Sequence, residues 1–86
     1  MKLKKEFIPY DTSSESLLVP VSGAGFSGLV KGNKTLGAIL GLLKQDTTEK
    51  EIVSAMLAQY NAPEEVIAGD VHRALTELRR IGALEE

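Results

Sequence analysis

The chain contains no cysteine and no tryptophan. Disulfides, thiolate catalysis and cysteine-ligated zinc are therefore excluded. His72 is the single histidine, so neither a multi-histidine metal site nor a specific Ser–His–Asp or Cys–His arrangement can be assembled. No apolar run reaches the roughly 18–20 residues that span a bilayer. Charge of one sign is missing as well. Ten basic against twelve acidic residues give a formal charge of −2, which supplies no overall attraction for phosphate backbones. The start, Met1-Lys2-Leu3-Lys4-Lys5, is basic, but Pro9, Asp11 and a serine cluster follow where a signal peptide needs an apolar core. These absences lead us to expect a soluble, cytoplasmic protein with no metal, no cofactor and no membrane partner. With 86 residues it has room for one domain, 1–86, and one modest core.

What is present divides at residue 32. Over 1–32 the pattern predicts a small β-meander. Phe7 to Tyr10 is a short strand ended by the polar run Asp11-Thr12-Ser13-Ser14-Glu15. Leu17, Val19 and Val21 then alternate with Ser16, Leu18, Pro20 and Ser22, the period-2 signal of a strand with one better-buried face. Ser22-Gly23-Ala24-Gly25 supplies turn chemistry, and Phe26 to Lys31 forms a third run. Pro9 suits an edge strand. Pro20 lacks an N–H that a central strand would use, so either pairing stops near Val19 or Pro20 sits at a bulge. The third run carries one charge, Lys31, and as the other edge it would offer an open template for an added strand, strand swapping or edge pairing.

Over 33–86 the sequence predicts three helices. Asn33 caps a helix running to about Lys44, with Leu36, Ile39, Leu40 and Leu43 on one face. Thr48-Glu49-Lys50-Glu51 is a capping box that opens a second helix burying Ile52, Val53, Met56, Leu57 and Tyr60. Pro63 suits the first turn of the third, Glu64 and Glu65 complement its dipole, and Ile67, Val71, Ala74, Leu75 and Leu78 form its apolar stripe. Arg79 and Arg80 fall in the last turn and Gly82 is the natural stop, with Leu84 folding back onto the core.

Chemistry-bearing motifs are scarce. Gly23-Ala24-Gly25-Phe26-Ser27-Gly28 is a literal G-x-G-x-x-G, but a strand and turn follow it where a dinucleotide site needs a helix. We read it as a hairpin turn. His72 lies beside the apolar stripe and reads as incidental and partly exposed. Asp70, Arg73, Glu77 and Arg80 have the spacing for i+3 and i+4 pairs, a solvated face or equally the polar rim of a groove. Three helices beside a small sheet also suggest a winged-helix DNA reader. Its third helix, however, would carry Glu64, Glu65, Asp70 and Glu77 against Arg73, Arg79 and Arg80, the wrong balance for a major groove.

Asn33-Lys34-Thr35, Ile39-Leu40, Leu42-Leu43, Thr48-x-x-Glu51-Ile52, Tyr60, Pro63-Glu64-Glu65, Asp70-Val71, Leu75, Leu78 and Gly82-Ala83-Leu84 together resemble the PqqD family. That family includes pyrroloquinoline quinone biosynthesis protein D and the related recognition elements for ribosomally made, post-translationally modified peptides. Gly32, where the family usually has Leu, Leu40, where many members have Trp, and the Gly-Ala-Gly turn are departures from its pattern. The resemblance implies an α+β, winged helix-turn-helix-like fold, a three-stranded antiparallel β-meander followed by three α-helices. It also implies a non-catalytic adaptor that binds the leader of a precursor peptide and hands it to a modifying enzyme, in this family often a radical S-adenosylmethionine enzyme. The leader would add as a strand beside Phe26, Ser27, Gly28, Leu29, Val30 and Lys31 and lie against Val66, Ile67, Asp70, Arg73, Ala74 and Glu77. Leu29, Val66 and Ala74 are equally readable as ordinary core. A DNA-binding winged-helix regulator is the alternative, nucleic acid being the less favoured partner, and a subunit docking on a larger enzyme is a third reading.

Overall fold

A computed structural model describes residues 1–13, 15–21 and 30–86. The elements run β1 (Lys2–Leu3), β2 (Phe7–Asp11), β3 (Ser16–Pro20), β4 (Val30–Gly32), α1 (Lys34–Leu42), α2 (Glu49–Gln59), α3 (Glu64–Arg80) and β5 (Leu84–Glu85). Strands β2, β3 and β4 form an antiparallel sheet in that order, followed by the three helices, so the expected α+β arrangement is the observed one. A second, two-stranded sheet pairs β1 with β5. Sequence periodicity cannot register strands of two residues, and this sheet was not anticipated.

The β2–β3 ladder is continuous from Phe7↔Pro20 to Asp11↔Ser16, so pairing neither stops at Val19 nor bulges at Pro20. The reason is parity. Val21 N donates to Glu6 O at 2.8 Å and Thr12 N donates to Glu15 O at 2.8 Å. The hydrogen-bonded pairs are therefore Ile8↔Val19 and Tyr10↔Leu17. Pro9 and Pro20 both fall in non-bonded pairs, where a ladder with the other strand asks no N–H of them.

The same register corrects the expected buried face of β3. Leu18 and Ser16 are fully buried, Leu17 and Val19 are half-buried, and Val21 is exposed. The inward face is set by α1, which crosses the sheet at Gly37. A Cβ there would overlap Ser16 Oγ and come 3.1 Å from Asp11 Oδ1. Only glycine permits this approach. The buried Ser16 hydroxyl is satisfied by donating to Asp11 Oδ1 at 2.8 Å.

Among the described residues fourteen apolar ones form the core, including Phe7 and Leu18 from the sheet, Ile39, Leu40 and Leu43 from α1 and its cap, Ile52 and Met56 from α2, and Ile67, Val71, Leu75 and Leu78 from α3. Asn33 caps α1 by accepting from Leu36 N, 3.1 Å. This helix ends at Leu42 rather than Lys44, because the Leu43 and Lys44 amides turn back in a tightened last turn. Thr48 Oγ1 accepts from Glu51 N, 3.1 Å, and donates to Glu51 Oε1, 3.1 Å, so the glutamate reaches the cap's hydroxyl rather than its amide. Tyr60 is an extended cap at the end of α2. Pro63 is likewise the cap of α3 rather than its first-turn residue, its carbonyl accepting from Ile67 N, 3.2 Å. Gly82 takes φ +75 and closes α3, with Ala83 N donating to Leu78 O, 2.8 Å, and Gly82 N to Arg79 O, 3.1 Å. Leu84 then turns onto the core and pairs with Leu3.

Candidate functional site

The sheet has two outer edges and they are not equivalent. On β2 the outward positions are Phe7, Pro9 and Asp11. Phe7 N is already spent on Lys4 O, 3.1 Å, and Pro9 has no N–H. That edge is blunted against strand addition. On β4 the pairs with β3 are Ser16↔Gly32, Leu17↔Lys31 and Leu18↔Val30. Because Leu17 bonds toward β2, the main chain of Val30 and Gly32 faces β3 while the N–H and C=O of Lys31 face outward. The Lys31 side chain is exposed, and Val30 is half-buried against the core. Phe26, Ser27, Gly28 and Leu29, along with the expected turn at Ser22–Gly25 and the G-x-G-x-x-G run, lie outside the described residues.

The start of α1 and the middle of α3 enclose a small cavity of about 170 Å³, bordered by Asn33, Thr35, Leu36 and Ile39 on one side and Asp70, Arg73 and Ala74 on the other. Of the α3 residues expected at a groove, Asp70, Arg73 and Ala74 line it. Val66 is 49% exposed on the same helical row as Asp70, Arg73 and Glu77. Ile67 is 4% exposed and belongs to the core. Glu77 lies further along the row, outside the cavity lining, with its carboxylate on Arg80 at 2.8 Å. The α1 wall was not among the expected site residues, and no sequence signal marks it: Leu36 reads as one more member of the apolar stripe, and only in the structure is it the least buried of them.

The polar rim is locally neutralised. Arg73 donates to Asp70 one turn before it, its guanidinium passing where a side chain at Gly69 would touch it. Hydrogen bonding and charge from Arg80 hold the Glu77 carboxyl below the usual carboxylate range, and the same pair raises Arg80. His72 is exposed, its Nδ1 3.2 Å from Glu49 Oε2 across the α2–α3 seam. Among the described residues no three His, Cys, Asp or Glu side chains converge as a metal site, and no helix is long and apolar enough to cross a membrane.

No curated protein sequence matches the chain. A solved structure described as TbiB1 in complex with the TbiA(beta) leader peptide superposes with a TM-score of 0.79 at 21% identity, covering 99% of this chain and 95% of that one. At that identity the likeness is one of fold. The sequence profile of the family described as coenzyme PQQ synthesis protein D matches residues 15–84, which takes in β3, β4 and all three helices. The chain therefore belongs to the PqqD family.

Proposed function

We propose that this chain is a non-catalytic adaptor that binds the leader of a ribosomally made precursor peptide and presents it to a separate modifying enzyme. The leader adds as a strand to β4, antiparallel or parallel pairing being open, and its side chains seat against the α1–α3 cavity. Main-chain hydrogen bonds supply register and the cavity supplies selectivity. The observation that carries this reading is the asymmetry of the sheet edges: β2 is blunted at Pro9, whereas β4 offers the outward N–H and C=O of Lys31. Family membership and the fold shared with a protein solved with a leader peptide support it. The whole chain, 1–86, works as one unit in this reading, since β1 and β5 tie its beginning to its end. Delivery to a radical S-adenosylmethionine enzyme is the family's expectation, and tethering would act by raising local substrate concentration. DNA binding is disfavoured because Arg73 and Arg80 on α3 are each engaged by a carboxylate.

Titration of a leader peptide from a neighbouring precursor gene, followed by backbone amide shifts, tests the proposal. Shifts are expected at Val30–Gly32, Leu36, Asp70, Arg73 and Ala74. Lys31→Pro removes the outward donor without touching the β3–β4 ladder and should weaken leader binding at least tenfold. Absence of saturable binding, or full binding by Lys31→Pro, overturns strand addition at β4.

A further inference from the structure

Charge gathers unpaired at one other place. Lys2, Lys4, Lys5 and Lys44 border a single cleft of about 710 Å³, with Glu6 and Glu85 on its walls. Lys4, Lys5 and Lys44 have no ion-pair partner among the described residues and Lys2 has only the nearby charge of Asp46, which the terminal ammonium already holds, whereas Arg73, Arg79 and Arg80 each hold a carboxylate. Ser14 and residues 22–29, outside the description, carry no carboxylate that could pair with them. The backbone beneath the lysines is pinned. Leu3 N donates to Leu43 O and Lys4 N to Ala83 O, both at 2.9 Å, and the β1–β5 ladder closes over them. The chain's terminal ammonium is held by Asp46 Oδ1, 2.6 Å, and Thr47 O, 2.8 Å. The basic start is a fixed surface, not a loose tail.

We propose that this cleft docks an acidic segment of a protein partner, which on the adaptor reading above is the modifying enzyme. One feature favours spaced carboxylates over a nucleic acid. Glu6 and Glu85 interrupt the positive wall, which spaced carboxylates tolerate and a continuous phosphodiester chain does not. The cleft also stands apart from the leader site. It shares no lining residue with the α1–α3 cavity. Asn33 precedes α1 and Lys44 follows it, and the nine residues of the helix between them span about 14 Å at 1.5 Å per residue. Leader and partner can be held together.

The test uses the full chain at about 150 mM salt, where surface attraction is largely screened, with a ten-residue oligo-glutamate peptide as probe. Saturable binding is expected, with amide shifts at Lys2–Glu6, Lys44 and Glu85 and none at Lys31, Asp70 or Arg73. Lys4→Glu with Lys44→Glu should lose at least tenfold in affinity, while Lys50→Glu should not. If that double variant unfolds, Lys2→Gln with Lys5→Gln, both at exposed positions, should still lose several-fold. No saturable binding, or shifts scattered over lysines outside the cleft, overturns the proposal. Tighter binding of a DNA duplex at the same residues reassigns the cleft to nucleic acid and also overturns it. Leader binding measured on the same sample separates the two readings. Its loss with oligo-glutamate binding intact strikes the adaptor, and the converse strikes the cleft alone.

Discussion

In α2 and α3 every boundary is set within a few residues of itself. Thr48 is bonded to Glu51, and Gly82 at φ +75 closes α3 through bonds to Leu78 and Arg79. In β2, β3 and β4 nothing comparably local decides which side faces inward. Ser16-Leu17-Leu18-Val19 offers an apolar residue to both faces, and the choice falls to Leu18 because α1 settles over Ser16 at Gly37. A helix of this protein is specified by its own ends; a strand is specified by what lies on it.

The strongest way to break that contrast is to truncate the two faces of β3 separately. Leu18 has no exposed surface and Val19 is half-buried on the outer face. Leu18→Ala should destabilise the chain by about 2–5 kcal/mol, the usual range for a buried leucine. Val19→Ala should cost no more than about 1 kcal/mol, since it removes less buried surface. Urea denaturation of both variants decides the matter. Equal losses would mean that the inward face has been misassigned.

Two glycines of α1 sharpen it next. Gly37→Ala drives a methyl into Ser16 Oγ and Asp11, and overpacking of this kind costs about 1–3 kcal/mol. At Gly41 a Cβ meets nothing within 4 Å. Gly41→Ala should therefore stabilise by up to about 1 kcal/mol, because only helix propensity changes. Thermal unfolding should move in opposite directions for the two. Shifts of the same sign would mean that α1 does not press on the sheet at Gly37.

The same division explains what could be read from residues alone. Caps, stops and the apolar stripe of α3 were legible because each signal and its consequence lie within one or two turns. The placing of Asp70, Arg73 and Ala74 beside a groove came from the resemblance to the PqqD family and not from that stripe, which marks only the buried face of α3. The α1 wall at Thr35 and Leu36, the β1–β5 sheet and the β3 face were not legible. Each depends on where a distant segment packs: α3 on α1, Leu84 on Leu3, and Gly37 on Ser16. Pro20 is the sharpest case. It looked like a terminator, and only the parity fixed by the Glu6–Val21 bond shows why the ladder runs through it.

The smallest expected effect lies on the solvated face of α3, where a purely local pair should behave as such. Glu77 accepts from Arg80, and that contact holds its folded pKa below the ordinary value of 4.5. A depressed carboxylate contributes its stabilisation above the unfolded value and loses it as pH falls through the folded one. The stability difference between the wild type and Glu77→Gln should therefore be flat from neutral pH to about pH 5. It should then shrink toward zero as the pH drops further, and salt should reduce it throughout, because both side chains are largely exposed. Denaturation curves across that range, at low and high salt, supply the measurement. A difference that persists in acid, or resists salt, would show that Glu77 acts through tertiary packing, and α3 would then lose its standing as a helix specified locally.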